Sequence, residues 1–341
     1  MTKRPYVKLK SDNKFNEMYQ KVRKNLDYFT SLTGVVGITL NGGLSREYSD
    51  HLSEVDLTIY LNPKTYMTWN NGFSPITLGI TMIKETLYDL KIIDIEAEEN
   101  RVWNDIDQWD GSYAKIIYDP ELRLKELYND KQKNKNNINQ IENLLFSCWW
   151  YYRLAGDIWI HRADVLQGHM IFNKAIEVLI KAVFIANEEF IPHEKWLIHM
   201  SRTLNWKPKN WEECLNKAMS TGDLSINSLK DRQEIISELW YEVDEYTREQ
   251  FFKELPIPMM YKYFYELLKD LIKYERVSID EWKKKSSLSM LNNDPFHKIV
   301  SIQDDTIVLD KEKLLSLRPD DMYSWYYKVV EVVVDGLEIN H

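Results

Sequence analysis

The sequence predicts an α+β protein in which an N-terminal mixed β-sheet domain is followed by an all-α helical-bundle domain. Short apolar runs, several of them with the period of two that is typical of strands, lie before residue 130. Beyond residue 138, most of the chain shows the three- and four-residue apolar spacing of amphipathic helices. The stretch between them, NDKQKNKNNINQ over 129–140, has Ile138 as its only apolar residue and is typical of a solvated linker or a polar helix start. We therefore expect domains at 1–130 and 138–285, with a C-terminal extension at 286–341.

The N-terminal elements follow from spacing and turn residues. Phe15, Met18, Val22 and Phe29 recur at helical spacing and predict a helix over 13–32. Apolar or alternating runs then predict strands, and a short helix closes the domain. The predicted strands are 35–40, 54–61, 76–83, 91–97 and 114–118, and the helix is 122–127.

In the second half, helical periodicity dominates until the last fifty residues. The predicted helices are 141–160, 164–187, 211–219, 231–252 and 259–274. Two short apolar runs at 298–302 and 306–309 flank Asp304-Asp305 and predict a hairpin. A last helix or strand is expected over 323–334.

Composition limits the class of protein. The chain has 341 residues, enough for two cores, and a net charge of −9, which argues against a broad nucleic-acid-binding surface. Its two cysteines, Cys148 and Cys214, lie in apolar, helix-like surroundings and favour a reducing compartment. We find no apolar segment typical of a signal peptide or a membrane span, and we expect a cytoplasmic protein without a membrane partner.

The segment from Val35 to Leu61 carries the clearest chemical signal. A predicted strand ends at Asn41-Gly42-Gly43, and a second strand begins with Glu54 and Asp56. Residues two apart on a strand point to one face, so both carboxylates are aimed at one place beside a glycine turn. Oxygen ligands of this kind suit Mg²⁺, and glycine turns let backbone N–H groups approach phosphates. The alternative is a strand whose acids are merely exposed at its end.

This arrangement resembles the signature of the DNA-polymerase-β-type nucleotidyltransferase superfamily, in particular the antibiotic nucleotidyltransferases that act on aminoglycosides and lincosamides. The likeness covers about 25 residues, GGLSR at 42–46 and SEVDL at 53–57. Glu54 departs from it, because Asp is commoner there. The resemblance implies that Glu54 and Asp56 bind metal, that Gly42, Gly43 and Ser45 cradle a triphosphate, and that Arg46 offsets its charge.

The resemblance also implies two residues further along the chain. Such enzymes carry a third carboxylate on a later strand, which points to Asp94 as a metal ligand or as the group that activates the attacking hydroxyl, with Glu96 as the fallback. A Pro-x-x-Lys-Trp segment in the helical domain of related enzymes contacts the triphosphate, which points to Lys195. The alternative for Asp94 and Glu96 is a polar stripe on an edge strand. The alternative for Lys195 is an ordinary surface lysine.

The most apolar helix predicted, 164–187, carries one polar stripe of His169, Asn173, Glu177 and Lys181. If that stripe lines a cleft between the domains, Glu177 is a second candidate base. If not, it is a solvated face. Arg162 and His169 also fit the permissive Arg-x₄₋₆-His pattern of HEPN-type ribonucleases, for which a chance match is the stronger explanation.

Together these features predict a Mg²⁺-dependent nucleotidyltransferase that moves a nucleoside monophosphate, AMP from ATP, to a hydroxyl of a small acceptor such as an aminoglycoside-like antibiotic. Two alternatives stay open, a protein-AMPylating component of a toxin–antitoxin pair and a catalytically inert nucleotide-binding module. A homodimer is left open as well.

Overall fold

A computed structural model describes residues 4–133, 138–219 and 222–324. The chain divides into two units, the first formed by Met1–Ile138 with Val183–Lys207 and the second by Asn139–Ala182 with Pro208–His341. Residues 183–207 thus belong with the N-terminal unit, whereas the sequence placed them in the helical domain. The described part of the expected C-terminal extension belongs to the second unit. Most of the element expected over 323–334 lies outside the described residues, as does 134–137 of the linker.

The first unit is built on a mixed sheet, which confirms the predicted fold class. Its strands are β1 (Val35–Leu40), β2 (Val55–Leu61), β3 (Gly79–Ile83), β4 (Thr86–Asp94) and β5 (Lys115–Tyr118). Among the described residues their spatial order is β3-β4-β2-β1-β5. β2 and β4 run parallel, and the other neighbouring pairs are antiparallel.

One helix precedes the sheet in the chain, and others lie between the strands and after them. Up to residue 133 these helices are α1 (Phe15–Thr30), α2 (Gly42–Ser45), α3 (Pro63–Thr68), α4 (Ile95–Asn100), α5 (Asp105–Tyr113) and α6 (Arg123–Lys131). None of the helices in the described part of the chain is long and apolar enough to cross a membrane.

The two faces of the sheet differ in chemistry. Leu40, Leu57 and Leu90 point to one face, where they are almost fully buried in a core cluster together with Phe29 of α1. The alternate positions of β2 place Asp56, Thr58 and Tyr60 on the opposite face. The far end of that face is covered by an aromatic cluster of Tyr60, Trp103 and Tyr128. The near end, around Asp56, keeps its polar side chains.

Hydrogen bonds attach residues 183–207 to the N-terminal segment of the same unit. The Arg4 guanidinium donates to the Glu189 carboxylate at 2.9 Å. The Lys8 backbone N–H donates to Nε2 of His199 at 3.0 Å. His199 belongs to a short helix over Glu194–Ser201. These contacts join residues almost two hundred positions apart, which local sequence patterns do not encode.

The second unit is mainly helical. Its helices, numbered in chain order, are α7 (Gln140–Trp149), α8 (Gly156–His161), α9 (Val165–Ala186, which continues into the first unit), α11 (Trp211–Met219), α12 (Ile226–Phe251), α13 (Lys262–Tyr274), α14 (Ile279–Lys283), α15 (Phe296–Ile299) and α16 (Lys311–Ser316). The helix over Glu194–Ser201 in the first unit is α10.

This unit also contains an antiparallel sheet, ordered β6-β8-β7 in the described residues. Its strands are β6 (Arg276–Ser278), β7 (Val300–Gln303) and β8 (Thr306–Leu309). The β7–β8 pair is the hairpin that the sequence predicts. β6 lies within 138–285, the domain that the sequence predicts to be all-α. It follows α13 directly, because Glu275, with φ of 64°, ends that helix.

Candidate active site in the first unit

A cavity of about 590 Å³ lies over the polar end of the sheet. Its walls come from the N-terminal segment, the β1–α2 turn, the loop before β2, strands β2 and β4, α5 and the start of α10. The acidic side chains that line it are Asp50, Glu54, Asp56, Asp89 and Asp110, and the cationic ones are Arg46, Lys91 and Lys195. All of these residues belong to the first unit.

Strand register brings two carboxylates side by side on the cavity floor. β2 and β4 are parallel neighbours, and Asp56 is the register partner of Asp89. Register partners share a face and lie about 4.8 Å apart. Lys91, two residues after Asp89, pairs with Thr58 and therefore points the same way. Neither Asp89 nor Lys91 was predicted from the sequence as a site residue.

The glycine turn packs directly against Asp56. Gly42 has φ of +59°, a conformation that L side chains rarely adopt. A Cβ at this position would stand 1.7 Å from Oδ2 of Asp56. The backbone N–H of Asn41 also donates to the Asp56 carbonyl oxygen at 2.9 Å. Gly42 is therefore required both by its backbone conformation and by the carboxylate beside it.

The carboxylates on the cavity floor repel one another. Burial, followed by the negative charges of Glu54 and Asp89, raises the pKa of Asp56 from 3.8 to about 6. Lys91 and Lys195 oppose that rise with their positive charges. A carboxylate whose ionised form is disfavoured in this way would be stabilised by a cation bound next to it.

The donor set of this floor suits a hard divalent cation. Glu54, Asp56 and Asp89 offer only carboxylate oxygens, the ligand type that Mg²⁺ prefers. In the described part of the chain, no group of three or more His, Cys, Asp or Glu side chains is placed so that it could hold a metal ion. Mg²⁺ usually takes one or two carboxylates and completes its coordination with water and substrate phosphates. The residues present therefore fit a metal that arrives together with a phosphorylated ligand.

The first turn of α10 presents a second set of polar groups to the cavity. Nδ1 of His193 accepts a hydrogen bond from the Lys195 backbone N–H at 3.2 Å, which caps the helix. The Lys195 side chain is exposed and makes no ion pair among the described residues. An unpaired ammonium near several carboxylates is suited to an anionic ligand.

The structure gathers most of the predicted site residues in this cavity. Gly42, Gly43, Arg46, Glu54, Asp56 and Lys195 all line it. Arg46 is nearly fully buried and pairs with Asp110, so its guanidinium is already engaged.

Asp94 does not join this group, and its predicted place beside Asp56 is wrong. It is the last residue of β4 and the register partner of Leu61, five residues beyond Asp89 and so about 16 Å along the strand. Its carboxylate caps α4 by accepting from the Glu96 and Ala97 backbone N–H groups. The fallback residue, Glu96, lies inside α4 rather than on a strand.

Ser45 and Glu177 are engaged elsewhere. The Ser45 hydroxyl donates to the Gly42 carbonyl oxygen at 2.9 Å, and its side chain does not line the cavity. It stabilises the turn from within. Glu177 belongs to the second unit, where its carboxylate pairs with Lys181 on the same face of α9.

The ribonuclease pattern finds no support in the described contacts. The Arg162 guanidinium lies over the Trp159 ring, 5.2 Å from its centroid. His169 instead contacts the buried Arg232, which donates to its Nδ1. Arg162 and His169 therefore have different partners.

Comparison with known proteins adds a distant likeness. No protein-family model matches the chain, and no curated protein matches it significantly. The crystal structure of a nucleotidyltransferase-like protein from Exiguobacterium sibiricum 255-15 aligns with 85% of this chain and 98% of its own, with 12% identity and a TM-score of 0.38. A likeness at this level assigns no activity.

Proposed function

We propose that the first unit is the catalytic unit of a Mg²⁺-dependent nucleotidyltransferase, which transfers a nucleoside monophosphate, AMP from ATP, to a hydroxyl of an acceptor. The observation that carries the proposal is the register pairing of Asp56 with Asp89 directly beside the Gly42 turn. Paired carboxylates next to a turn of backbone N–H groups are the parts that phosphoryl and nucleotidyl transfer require.

In this proposal Glu54 and Asp56 hold the metal. When bound, Mg²⁺ would supply positive charge to the phosphate oxygens as negative charge develops on them. The first turn of α2 leaves backbone N–H groups without partners inside the helix, and Gly42 and Gly43 allow a phosphate to approach them.

The lysines and Asp89 have separate roles. Lys195 and Lys91 line the cavity and offset the charge of the triphosphate. The acceptor hydroxyl attacks the α-phosphorus, the bond to the bridging oxygen of the β-phosphate breaks, and pyrophosphate leaves. We assign Asp89 to receive the hydroxyl proton, because it lies on the floor beside Asp56 and replaces Asp94 as the third carboxylate.

The acid-rich lining, five carboxylates against three cations, also favours an acceptor with positive charge, such as an aminoglycoside-like molecule. A protein hydroxyl is the competing acceptor, and the test below includes both classes.

The test uses ATP labelled at the α- or the γ-phosphate, with Mg²⁺ and separate panels of aminoglycosides, lincosamides and proteins. We expect α-label on one acceptor class and γ-label in released pyrophosphate. Release of labelled orthophosphate would indicate hydrolysis, and γ-label on an acceptor together with release of ADP would indicate phosphoryl transfer. Calorimetry without an acceptor tests the inert alternative, since a module that binds nucleotide without catalysis would bind MgATP but transfer no label. Absence of Mg²⁺-dependent ATP binding would contradict the proposal altogether.

Asp89 and Asp94 provide a matched pair on one strand. We expect Asp89→Asn to reduce transfer by about 10²-fold or more, because a positioned carboxylate contributes on the order of 10²–10⁴-fold. Asp94→Asn should keep nearly full activity, since Asn is also a good helix N-cap. Initial rates of pyrophosphate release at saturating MgATP compare the two variants. Equal losses in both would contradict the assignment of Asp89.

A further inference from the structure

The Arg46 side chain lies in a cage of aromatic rings beside the cavity. Its guanidinium carbon is 4.4 Å from the centroid of Trp109, 5.4 Å from that of Trp196 and 5.9 Å from that of Tyr113. Nη1 donates to Oδ1 of Asp110 at 3.2 Å. The Arg46 side chain is only 3% exposed, while that of Asp110 is 50% exposed. The guanidinium therefore lies against three rings and one carboxylate, while its Nε is buried without a hydrogen-bond partner among the described residues.

The partners of Arg46 come from separate elements. Arg46 itself follows α2, the helix that begins at Gly42. Trp109 and Asp110 lie on α5, and Trp196 lies in the first turn of α10. Trp196 is the immediate neighbour of Lys195. One guanidinium thus connects the glycine turn with the helix that carries the exposed lysine.

The cage argues against direct contact between Arg46 and a phosphate. Burial lowers the pKa of Arg46, and the charge of Asp110 opposes that change. Arg46 lines the cavity, but only 3% of its side chain is exposed, so it offers a phosphate little accessible surface. Lys195 differs from it, because it is exposed on the cavity wall. The planar guanidinium also stacks on rings in a way that an ammonium cannot reproduce.

We propose that Arg46 is a positioning residue for nucleotide binding: by stacking on Trp196 and pairing with Asp110, it holds α10 so that Lys195 faces the glycine turn. The inference rests on the proposed nucleotide site and changes the role expected for Arg46 from the sequence. Arg46 then contributes to affinity through Lys195, not through its own charge.

A double-mutant cycle on MgATP binding, measured by calorimetry, tests this role. We expect Arg46→Lys, which keeps the charge and loses the planar stack, to weaken binding about tenfold, the scale of a well-packed cation–π contact. Lys195→Ala should weaken it by a similar factor. The double variant should bind about as weakly as Lys195→Ala alone, because Arg46 acts through Lys195. A loss in the double variant equal to the product of the two single losses would overturn the proposal, as would full affinity in Arg46→Lys.

Arg4→Lys is the matched control. Arg4 also stacks on Tyr113, at 4.2 Å, and pairs with Glu189, but it does not line the cavity. We expect its MgATP affinity to stay within about twofold of the wild type, and a tenfold loss here would overturn the specific role of Arg46.

If Arg46→Lys does not fold, Trp196→Leu tests the positioning role of Arg46 instead. We expect it to weaken MgATP binding like Lys195→Ala, again without a further loss when the two are combined. Undiminished affinity would overturn the proposal. Failure of the wild type to bind MgATP would instead remove the proposed function itself, so the two failures are distinguishable.

Discussion

Asp56→Asn is expected to abolish nucleotidyl transfer and, at neutral pH, to make the protein more stable. The loss of transfer follows from removing a negatively charged ligand of the proposed metal ion, whose own positive charge would neutralise the phosphates. Such a metal contributes several kcal/mol and thus at least about 10²–10³-fold in rate. The gain in stability follows from removing a partly buried carboxylate that Glu54 and Asp89 repel. Opposite effects on activity and stability are typical of residues kept for function.

The pH dependence of the stability gain has a defined sign. The pKa of Asp56 is about 6 in the folded protein and 3.8 for the ordinary side chain, so folding favours the protonated carboxyl. Ionised Asp56 therefore destabilises the fold fully above pH 6, and this cost disappears as the pH falls from about 6 towards 4. The shift of about two units corresponds to about 3 kcal/mol at most. Because the buried amide must also be solvated or hydrogen-bonded, we expect a net gain of about 1–2 kcal/mol.

Urea unfolding of the wild type and Asp56→Asn at pH 7.5 and pH 4 measures this gain. We expect a higher midpoint for the variant at pH 7.5 and similar midpoints at pH 4. In the same assay Mg²⁺ with ATP should stabilise the wild type and not the variant. Asp94→Asn is the control, since it removes an acid from the same sheet without touching the cavity. A gain for Asp56→Asn that persists unchanged at pH 4 would contradict the repulsion argument.

The sequence was informative where function depends on neighbouring residues in the chain. Gly42 and Gly43 lie in one turn, Asp56 lies in the next strand and Glu54 directly precedes that strand, so local spacing was enough to bring them together. Asp89 was missed because its place depends on register. β4 begins at Thr86, ahead of the strand predicted over 91–97, and a shift of pairing by one residue reverses every side chain. The alternation at Tyr88-Asp89-Leu90 was the available signal, but it does not show which acid on the strand faces Asp56.

Long-range packing accounts for the other differences. The sequence supported a role for Lys195, but not its membership of the first unit, because that depends on contacts such as Arg4 with Glu189. The burial of Arg46 could not be predicted from the sequence either, because the rings around it include Trp109 and Trp196, which are far apart in the chain. From the sequence alone, an arginine after a glycine turn is predicted to bind phosphate. The structure shows that Arg46 instead contacts Asp110, Trp109 and Trp196.

Gly42→Ala is expected to destabilise the protein and to remove activity together. The left-handed backbone at φ of +59° costs a non-glycine residue about 1–2 kcal/mol. The added methyl group would also stand 1.7 Å from Oδ2 and 2.5 Å from Cγ of Asp56, so the turn or the carboxylate must move. We expect a total loss of about 2–4 kcal/mol, which is the range of overpacking combined with backbone strain.

Gly79→Ala separates the two causes. Gly79 has φ of +75° but open space where a Cβ would stand, so its substitution reports backbone strain alone. The free energy of unfolding, measured by urea titration, should therefore fall by about 1–2 kcal/mol for Gly79→Ala and clearly further for Gly42→Ala. Adding Asp56→Ala to Gly42→Ala should recover part of the lost stability and none of the transfer, because it relieves the collision while removing the metal-binding carboxylate. Equal midpoints for the two glycine variants would show that the Asp56 carboxylate does not rest against the turn, and the proposed site would lose the geometry on which it depends.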